Sequence, residues 1–218
     1  MAQRIFSSNL FWELLAVVIV SAAVATWMNS VFPLDSWRWS EPPGQGFYLL
    51  SKLFGLLAVV AIWWQVLAAV LNHPVVSSRR LRGHQYMGAV LMLTAVLHYL
   101  FFVSAVYLRN QTFPYELLYP VFDNYFKVSL SAGWFAFISL IVTFLAAVFR
   151  RKLGAVWRLV HRLAFVAVIL GVLHGFMIGT ETGYGLFSYI YYLLIATIVV
   201  ALVTRIGLSG RKPFLAAG

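Results

Sequence analysis

The sequence contains no cysteine and few charged residues. Of its 218 residues 10% are charged and six are Asp or Glu, whereas 62% are hydrophobic and 17% are aromatic. Without cysteine the chain cannot form disulfides, iron–sulfur clusters, thiolate metal sites or a cysteine nucleophile. Soluble domains are about 45–50% apolar and about 25% charged. The composition therefore excludes a soluble globular domain, a disordered segment and a nucleic-acid-binding module, and an integral membrane protein remains.

Six apolar stretches are long enough to cross a bilayer, which takes about 20 residues each. We place them at about 10–31, 47–71, 84–108, 128–149, 159–178 and 185–206. The sequence therefore predicts an all-α integral membrane protein in which residues 1–218 form a single domain, a bundle of six transmembrane helices.

The basic residues cluster at one set of helix ends. Twelve of the 16 lysines and arginines lie there: Arg4, Arg79, Arg80, Arg82, Arg150, Arg151, Lys152, Arg158, Arg162, Arg205, Arg211 and Lys212. Five of the six acidic residues lie at the opposite ends: Asp35, Glu41, Glu116, Asp123 and Glu181. Loops rich in Lys and Arg stay in the cytoplasm. We therefore predict that the basic ends and both termini are cytoplasmic.

Histidines are the exceptional polar side chains of the predicted helices. No Asp, Glu, Lys or Arg lies away from a helix end, although a proton pump or cation transporter is expected to carry such groups near the midplane. His84 and His98 lie on the third helix, and His161 and His174 lie on the fifth. His73 lies in a cytoplasmic loop, and we interpret it as incidental.

The spacing of these histidines predicts a cofactor. The third and fifth helices run in the same direction, so His84 and His161 (the inner pair) lie near the cytoplasmic boundary. His98 and His174 (the outer pair) lie about 20 Å further out. Two imidazoles fill both axial positions of a haem iron. Two such haems, one in each leaflet, would bridge the hydrocarbon core of about 30 Å that one macrocycle cannot. We therefore expect two haems b.

Two other interpretations of the histidines compete with haem. A single intramembrane histidine is often a helix–helix hydrogen bond. A zinc site is the second alternative, but each pair would supply two ligands where zinc takes four. The spacing on the fifth helix is also imperfect, because thirteen residues miss a whole number of turns by about 140°. We therefore expect that helix to be distorted, or its two histidines to approach from different directions.

The chain resembles a known family at these residues. His84-x13-His98, followed two helices later by His161-x12-His174, is similar to the ferric reductase-like transmembrane domain of NADPH oxidases and ferric reductases. The runs Arg79-Arg80-Leu81-Arg82-Gly83 and Arg151-Lys152-Leu153-Gly154-x-x-Trp157-x-x-x-His161 resemble its small bacterial branch. That branch includes the haem-binding membrane subunit of the periplasmic methionine sulfoxide reductase system. The resemblance covers about 79–178.

The resemblance implies a fold, a ligand set and a role. The fold would be a ferric reductase-like haem-binding bundle, in which His84 and His161 bind the iron of the inner haem and His98 and His174 that of the outer haem. The location implied is a bacterial inner membrane, in contact with lipid. The role is electron transfer to a periplasmic or extracellular acceptor, for example a soluble reductase. The alternative is a haem-bearing, non-catalytic subunit or anchor of a larger respiratory or reductase complex.

The electron donor is expected to be a separate molecule. The sequence contains no Gly-rich dinucleotide fingerprint, so a cytoplasmic flavoprotein reductase or a quinol would supply the electrons. Nothing in the sequence suggests acid–base or nucleophilic catalysis. On the cytoplasmic side Arg79, Arg80, Arg82 and Arg158 lie close in sequence to the inner pair. They either serve topology alone or also bind haem propionates or an acidic partner.

The longest outer loop is rich in aromatic residues. It runs from Arg109 to Lys127 and includes Phe113-Pro114-Tyr115. Such residues are typical of the aromatic belt at a membrane interface. The alternative is a lid or docking surface over the outer haem.

Overall fold

The computed structural model describes residues 9–31, 42–71, 78–183 and 185–209. The side chains of Arg79 and Arg80 are not among those described, and neither is His73. In this part of the chain there are nine α-helices and no strand: α1 Asn9–Val31, α2 Gln45–Leu71, α3 Ser78–Asn110, α4 Tyr125–Val148, α5 Arg150–Leu153, α6 Val156–His161, α7 Leu163–Ile178, α8 Thr180–Gly183 and α9 Leu186–Ser209. A single 3-10 turn spans Tyr115–Leu117.

Six helical segments are long and apolar enough to cross a membrane. They are α1, α2, α3, α4, the consecutive α6 and α7, and α9, so the predicted number and order of the apolar helices are confirmed. The bounds differ most at α3, which begins at Ser78 rather than near His84. These segments indicate a multi-pass membrane protein.

The helices pack in two antiparallel pairs with two further helices behind them. α2 packs along α3, and α4 packs along α7, while α1 and α9 both contact α2. The contact between α1, α2 and α9 forms the buried core, which includes Ala23, Trp63 and Tyr191. The Trp63 indole donates a hydrogen bond of 2.8 Å to Thr197 Oγ1, so its one polar atom is satisfied within that core.

The fifth apolar segment is broken beside His161, as expected from the histidine spacing. α6 ends at His161 and α7 begins at Leu163. Around the break the Arg162 N–H donates to the Leu159 carbonyl (3.1 Å), and the Phe165 N–H donates to the Arg162 carbonyl (3.0 Å). These i to i+3 bonds are those of a 3-10 helix, which turns about 120° per residue instead of about 100°. The tighter winding recovers part of the angle that thirteen residues lack.

Single residues shape the connections before and after α4. Asn124 caps its start in an extended conformation, and its side chain accepts a hydrogen bond of 2.9 Å from the Lys127 N–H. After α4, Gly154 ends the one-turn helix α5 at a φ of 54°, in the left-handed region that favours glycine. The outer loop before α4 exposes Tyr115 and Phe122, and its role as aromatic belt or lid stays a prediction.

Candidate functional site

The structure brings the four histidines together as two pairs. The ring centres of His84 and His161 lie 6.3 Å apart, and those of His98 and His174 lie 6.2 Å apart. The planes of the two rings cross at 73° in the inner pair and at 71° in the outer pair. These are the pairs that the resemblance implies, and the two arrangements are nearly identical.

The separation within each pair fits one metal atom between two imidazoles. A metal that binds two imidazoles from opposite sides, about 2.0–2.1 Å from each nitrogen and with each ring centre about 1.1 Å behind its nitrogen, places the ring centres about 6.3 Å apart. Edge-to-face ring pairs without a metal span about 4.5–7 Å, a range that includes this value. The spacing of both pairs therefore suits the axial ligands of a haem.

Hydrogen bonds to backbone carbonyls orient three of the rings. His98 Nδ1 lies 2.8 Å from the Ser51 carbonyl oxygen on α2, and His174 Nδ1 lies 2.8 Å from the Ser129 carbonyl oxygen on α4. His161 Nδ1 lies 3.4 Å from the Thr143 carbonyl oxygen. A carbonyl oxygen only accepts, so Nδ1 carries the proton in each ring. Nε2 of a neutral imidazole is then free to bind a metal.

All four histidines line one cavity of about 1510 Å³. It lies between the pair α2–α3 and the pair α4–α7, and it extends past both histidine pairs. Between the pairs many of the lining side chains are small: Ala58, Ala95, Ala136, Ala167 and Gly171. Small residues let a flat, bulky group lie against helix backbone. The cavity is large enough for ligands at both pairs, since single ligand pockets span about 300–1,000 Å³.

Two glycines make room for the outer histidines. A Cβ added at Gly55 would lie 3.0 Å from His98 Nδ1, and one at Gly133 would lie 2.6 Å from His174 Nδ1. Each glycine follows, by one helical turn, the serine whose carbonyl accepts the Nδ1 proton. The run Ser-x3-Gly at 51–55 and 129–133 is thus a cradle for an imidazole. Our sequence analysis missed it, although its occurrence on two helices was a readable signal.

We expect Gly133→Ala to displace the His174 ring. The new methyl group cannot share the space with Nδ1, so the ring must move and lose its bond to Ser129. Overpacking of this kind costs about 1–3 kcal/mol. The melting temperature in detergent should fall accordingly. Gly183→Ala is the control, because an added Cβ there would meet nothing within 4 Å and Gly183 does not line the cavity. Equal melting temperatures for both variants would contradict the cradle.

The arginines at the basic end divide into two groups. Arg82 and Arg158 do not line the cavity, whereas Arg150 and Arg162 line it beside the inner pair. Arg162 is nevertheless as exposed as Arg82 and Arg158 by class. Sequence proximity to His84 and His161 therefore pointed to arginines that do not line the cavity. Contacts of Arg79 and Arg80 lie outside the described side chains. That Arg79, Arg80, Arg82 or Arg158 binds a propionate stays a prediction.

An ion pair lines the cavity at the end beside the outer histidine pair. Lys52 Nζ contacts Glu181 Oε1, and the two side chains are only 17% and 11% exposed. Glu181 also accepts a hydrogen bond of 2.7 Å from the Thr180 hydroxyl. Lys52 directly follows Ser51, so the pair ties the wall that holds His98 to the short helix α8 beyond His174. The sequence places Glu181 at an outer helix end, but it does not predict the pairing with Lys52.

Breaking this ion pair should destabilise the protein. Glu181→Gln leaves the Lys52 ammonium largely buried without a counter-ion, which costs about 3–5 kcal/mol in fully buried pairs, and the low end applies to side chains that retain some exposure. The measurement is thermal unfolding in detergent. The control Glu116→Gln removes a carboxylate that is 54% exposed and 3.7 Å from Lys127. We expect an effect below about 1 kcal/mol there.

Neither histidine pair is part of a larger cluster of metal-binding side chains among the described residues. In the part of the chain that the structure describes, no three or more His, Asp or Glu side chains form a group that could hold a metal ion. Two protein ligands suit an ion whose remaining positions are filled by a macrocycle, and they do not complete a zinc site. Haem iron is the case in which a protein supplies only two ligands.

Comparison with models of known protein families, with curated proteins and with solved structures finds no match.

Proposed function

We propose that the chain is a di-haem b-type membrane cytochrome that transfers electrons from a cytoplasmic donor to an acceptor on the outer face. The observation that carries this proposal is the geometry of the two imidazole pairs. Both have the spacing of two ligands of one metal atom, and both line the same cavity. The same four histidines support the proposal that the chain belongs to the ferric reductase-like family.

The residues of the chain would bind and orient the cofactors. When bound, haem supplies a one-electron redox centre at each pair. His98 and His174 would hold the iron through Nε2, while their Nδ1–H bonds to the Ser51 and Ser129 carbonyls fix the tautomer and would raise the basicity of the ligand. At the basic end Arg150 and Arg162 offer positive charge to propionate groups. The apolar helix faces between the pairs exclude water.

The orientation of transfer follows from the charges. The helix ends beside His84 and His161 carry Arg82, Arg150 and Arg162, and basic ends stay in the cytoplasm. We propose that the inner pair faces the donor, a flavoprotein reductase or a quinol. The outer pair then faces the periplasm of a bacterium, or the cell exterior, and the acceptor there.

The experiment that tests the cofactors uses the purified full-length chain. A reduced-minus-oxidised spectrum together with haem quantitation should give two b-type haems per chain. Both should be low-spin, because two imidazoles fill both axial positions of each iron. A chain that retains no haem after expression with sufficient haem would overturn the proposal.

A second experiment tests the donor. NAD(P)H alone should not reduce the purified protein, whereas NAD(P)H with a soluble flavin reductase should. The rate should fall with added salt, because screening weakens docking at exposed charges such as Arg82 and Arg158. Direct reduction by NADPH in a pure sample would contradict a separate donor. Tight co-purification of a partner, without turnover of an outer acceptor, would favour the non-catalytic subunit.

A further inference from the structure

On α2 and on α4, which form the two walls opposite the histidines, the residues that face a histidine are fourteen positions apart. On α2, Ser51 faces His98, and fourteen residues later Gln65 contacts His84, which lies fourteen residues before His98. On α4, Ser129 faces His174, and fourteen residues later Thr143 faces His161. Fourteen residues are close to four helical turns, so each wall returns to the same face. Gln65 is therefore the inner counterpart of Ser51.

Gln65 has an unused hydrogen-bond acceptor. Its Nε2 donates a bond of 3.1 Å to the backbone carbonyl of His84, which fixes which end of the amide is the donor. Its Oε1 is buried and has no partner among the described residues. A buried amide oxygen without a donor is destabilising and rare, and it calls for a ligand or a partner.

The His84 ring lacks an acceptor for its Nδ1 proton among the described residues. His84 is the one histidine of the four whose ring makes no hydrogen bond within the described chain, whereas Nδ1 of each of the others lies near a backbone carbonyl. A histidine that binds metal through Nε2 donates its Nδ1–H in nearly every known site. Gln65 on α2 and His84 on α3 are in contact and both line the cavity. The unpartnered acceptor and the unpartnered ring therefore belong to neighbouring side chains.

Gly88 provides the space in which the Gln65 amide lies. It is one turn beyond His84 on α3, and a Cβ added there would lie 2.9 Å from Gln65 Nε2. The amide is therefore held against α3 beside His84, at a position that tolerates little added volume.

We propose that Gln65 is the positioning residue of the inner site, where its Oε1 accepts the Nδ1 proton of His84 in the haem-loaded protein. This inference rests on the proposed function. Gln65 then does for His84 what the Ser51 carbonyl does for His98. The difference is that a side-chain amide replaces a backbone carbonyl, so the inner ligand can be altered by substitution without changing the helix backbone.

The bond should tune the reduction potential of the inner haem. A stronger acceptor at Nδ1 makes the imidazole a stronger donor to iron and stabilises the oxidised state. Gln65→Leu removes the acceptor and should raise the inner midpoint potential. Gln65→Glu supplies a stronger acceptor and should lower it. The charge of Gln65→Glu would lower the potential even without a bond to Nδ1. The bond itself is therefore tested by Gln65→Leu, read together with the donor strength of the inner imidazole in low-temperature electron paramagnetic resonance, which a merely structural role would not change.

Potentiometric titration of the purified, haem-loaded full chain measures these shifts, with the inner component assigned in a His98→Ala background. Haem retention at the inner site should also fall about 10–100-fold in Gln65→Leu, the usual cost of removing such a partner. Tyr86→Phe is the control, since it removes an exposed polar group two residues from His84 on α3 that does not line the cavity. It should leave both potentials unchanged. If Gln65→Leu does not fold, Gly88→Ala should displace the amide and raise the inner potential.

Shifts of the inner potential in the same direction for Leu and Glu, or none in either, would overturn this inference and leave the proposed function standing. A wild-type chain without haem would overturn both. Opposite shifts confined to the inner component support it.

Discussion

If the chain holds two haems as proposed, His98→Ala is expected to reduce the haem content of the purified chain from two per molecule to one. His98 and His174 form one of two independent pairs, and loss of one axial imidazole leaves the outer site with a single protein ligand. The inner pair lies about 21 Å away along α3 and keeps both ligands. The remaining haem should therefore stay low-spin, with the spectrum of bis-imidazole coordination. Pyridine haemochrome quantitation and low-temperature electron paramagnetic resonance measure both properties.

The reciprocal variants test the inner site. His84→Ala and His161→Ala should each remove the other haem and leave the outer pair intact. His73→Ala is the matched control, because it removes the one histidine that belongs to neither pair and should leave two haems. A wild-type preparation with one haem, unchanged by His84→Ala or His161→Ala, would show that the inner pair does not bind haem.

The helices and the histidine pairs were predictable because they depend on simple periodicities. An apolar run of about 20 residues has one stable arrangement in a bilayer. Two histidines fourteen residues apart must also lie on one helix face. The one imperfect spacing predicted either a distorted helix or different directions of approach, and the break between α6 and α7 beside His161 is the first of these.

The surroundings of the histidines were not predictable by the same means. Ser51, Gly55, Ser129 and Gly133 act through backbone carbonyls and empty space, and neither has a residue-specific signature until the partner helix is known. Which arginines line the cavity depends on the rotation of each helix about its axis. Apolarity on all sides leaves that rotation undetermined from sequence, since such helices have no polar face.

The proposed function predicts that electron transfer across the membrane requires the inner pair. In vesicles oriented with the basic ends inside, His161→Ala should block reduction of an impermeant outer acceptor by a donor inside the vesicle. The reason is serial position: His84 and His161 lie beside the basic ends, and His98 and His174 lie about 20 Å further along the same two segments. Dithionite should still reduce the outer site of this variant, since its two ligands are unchanged.

His174→Ala should give the complementary result. The inner site should be reduced by the inside donor at the native rate, because Arg150, Arg162 and both inner histidines are untouched. Reduction of the outer acceptor should stop, since the remaining distance exceeds what one site can bridge in a core of about 30 Å. His73→Ala vesicles provide the control for protein content and orientation. If His161→Ala vesicles passed electrons to the outer acceptor at the native rate, the two pairs would not act in series.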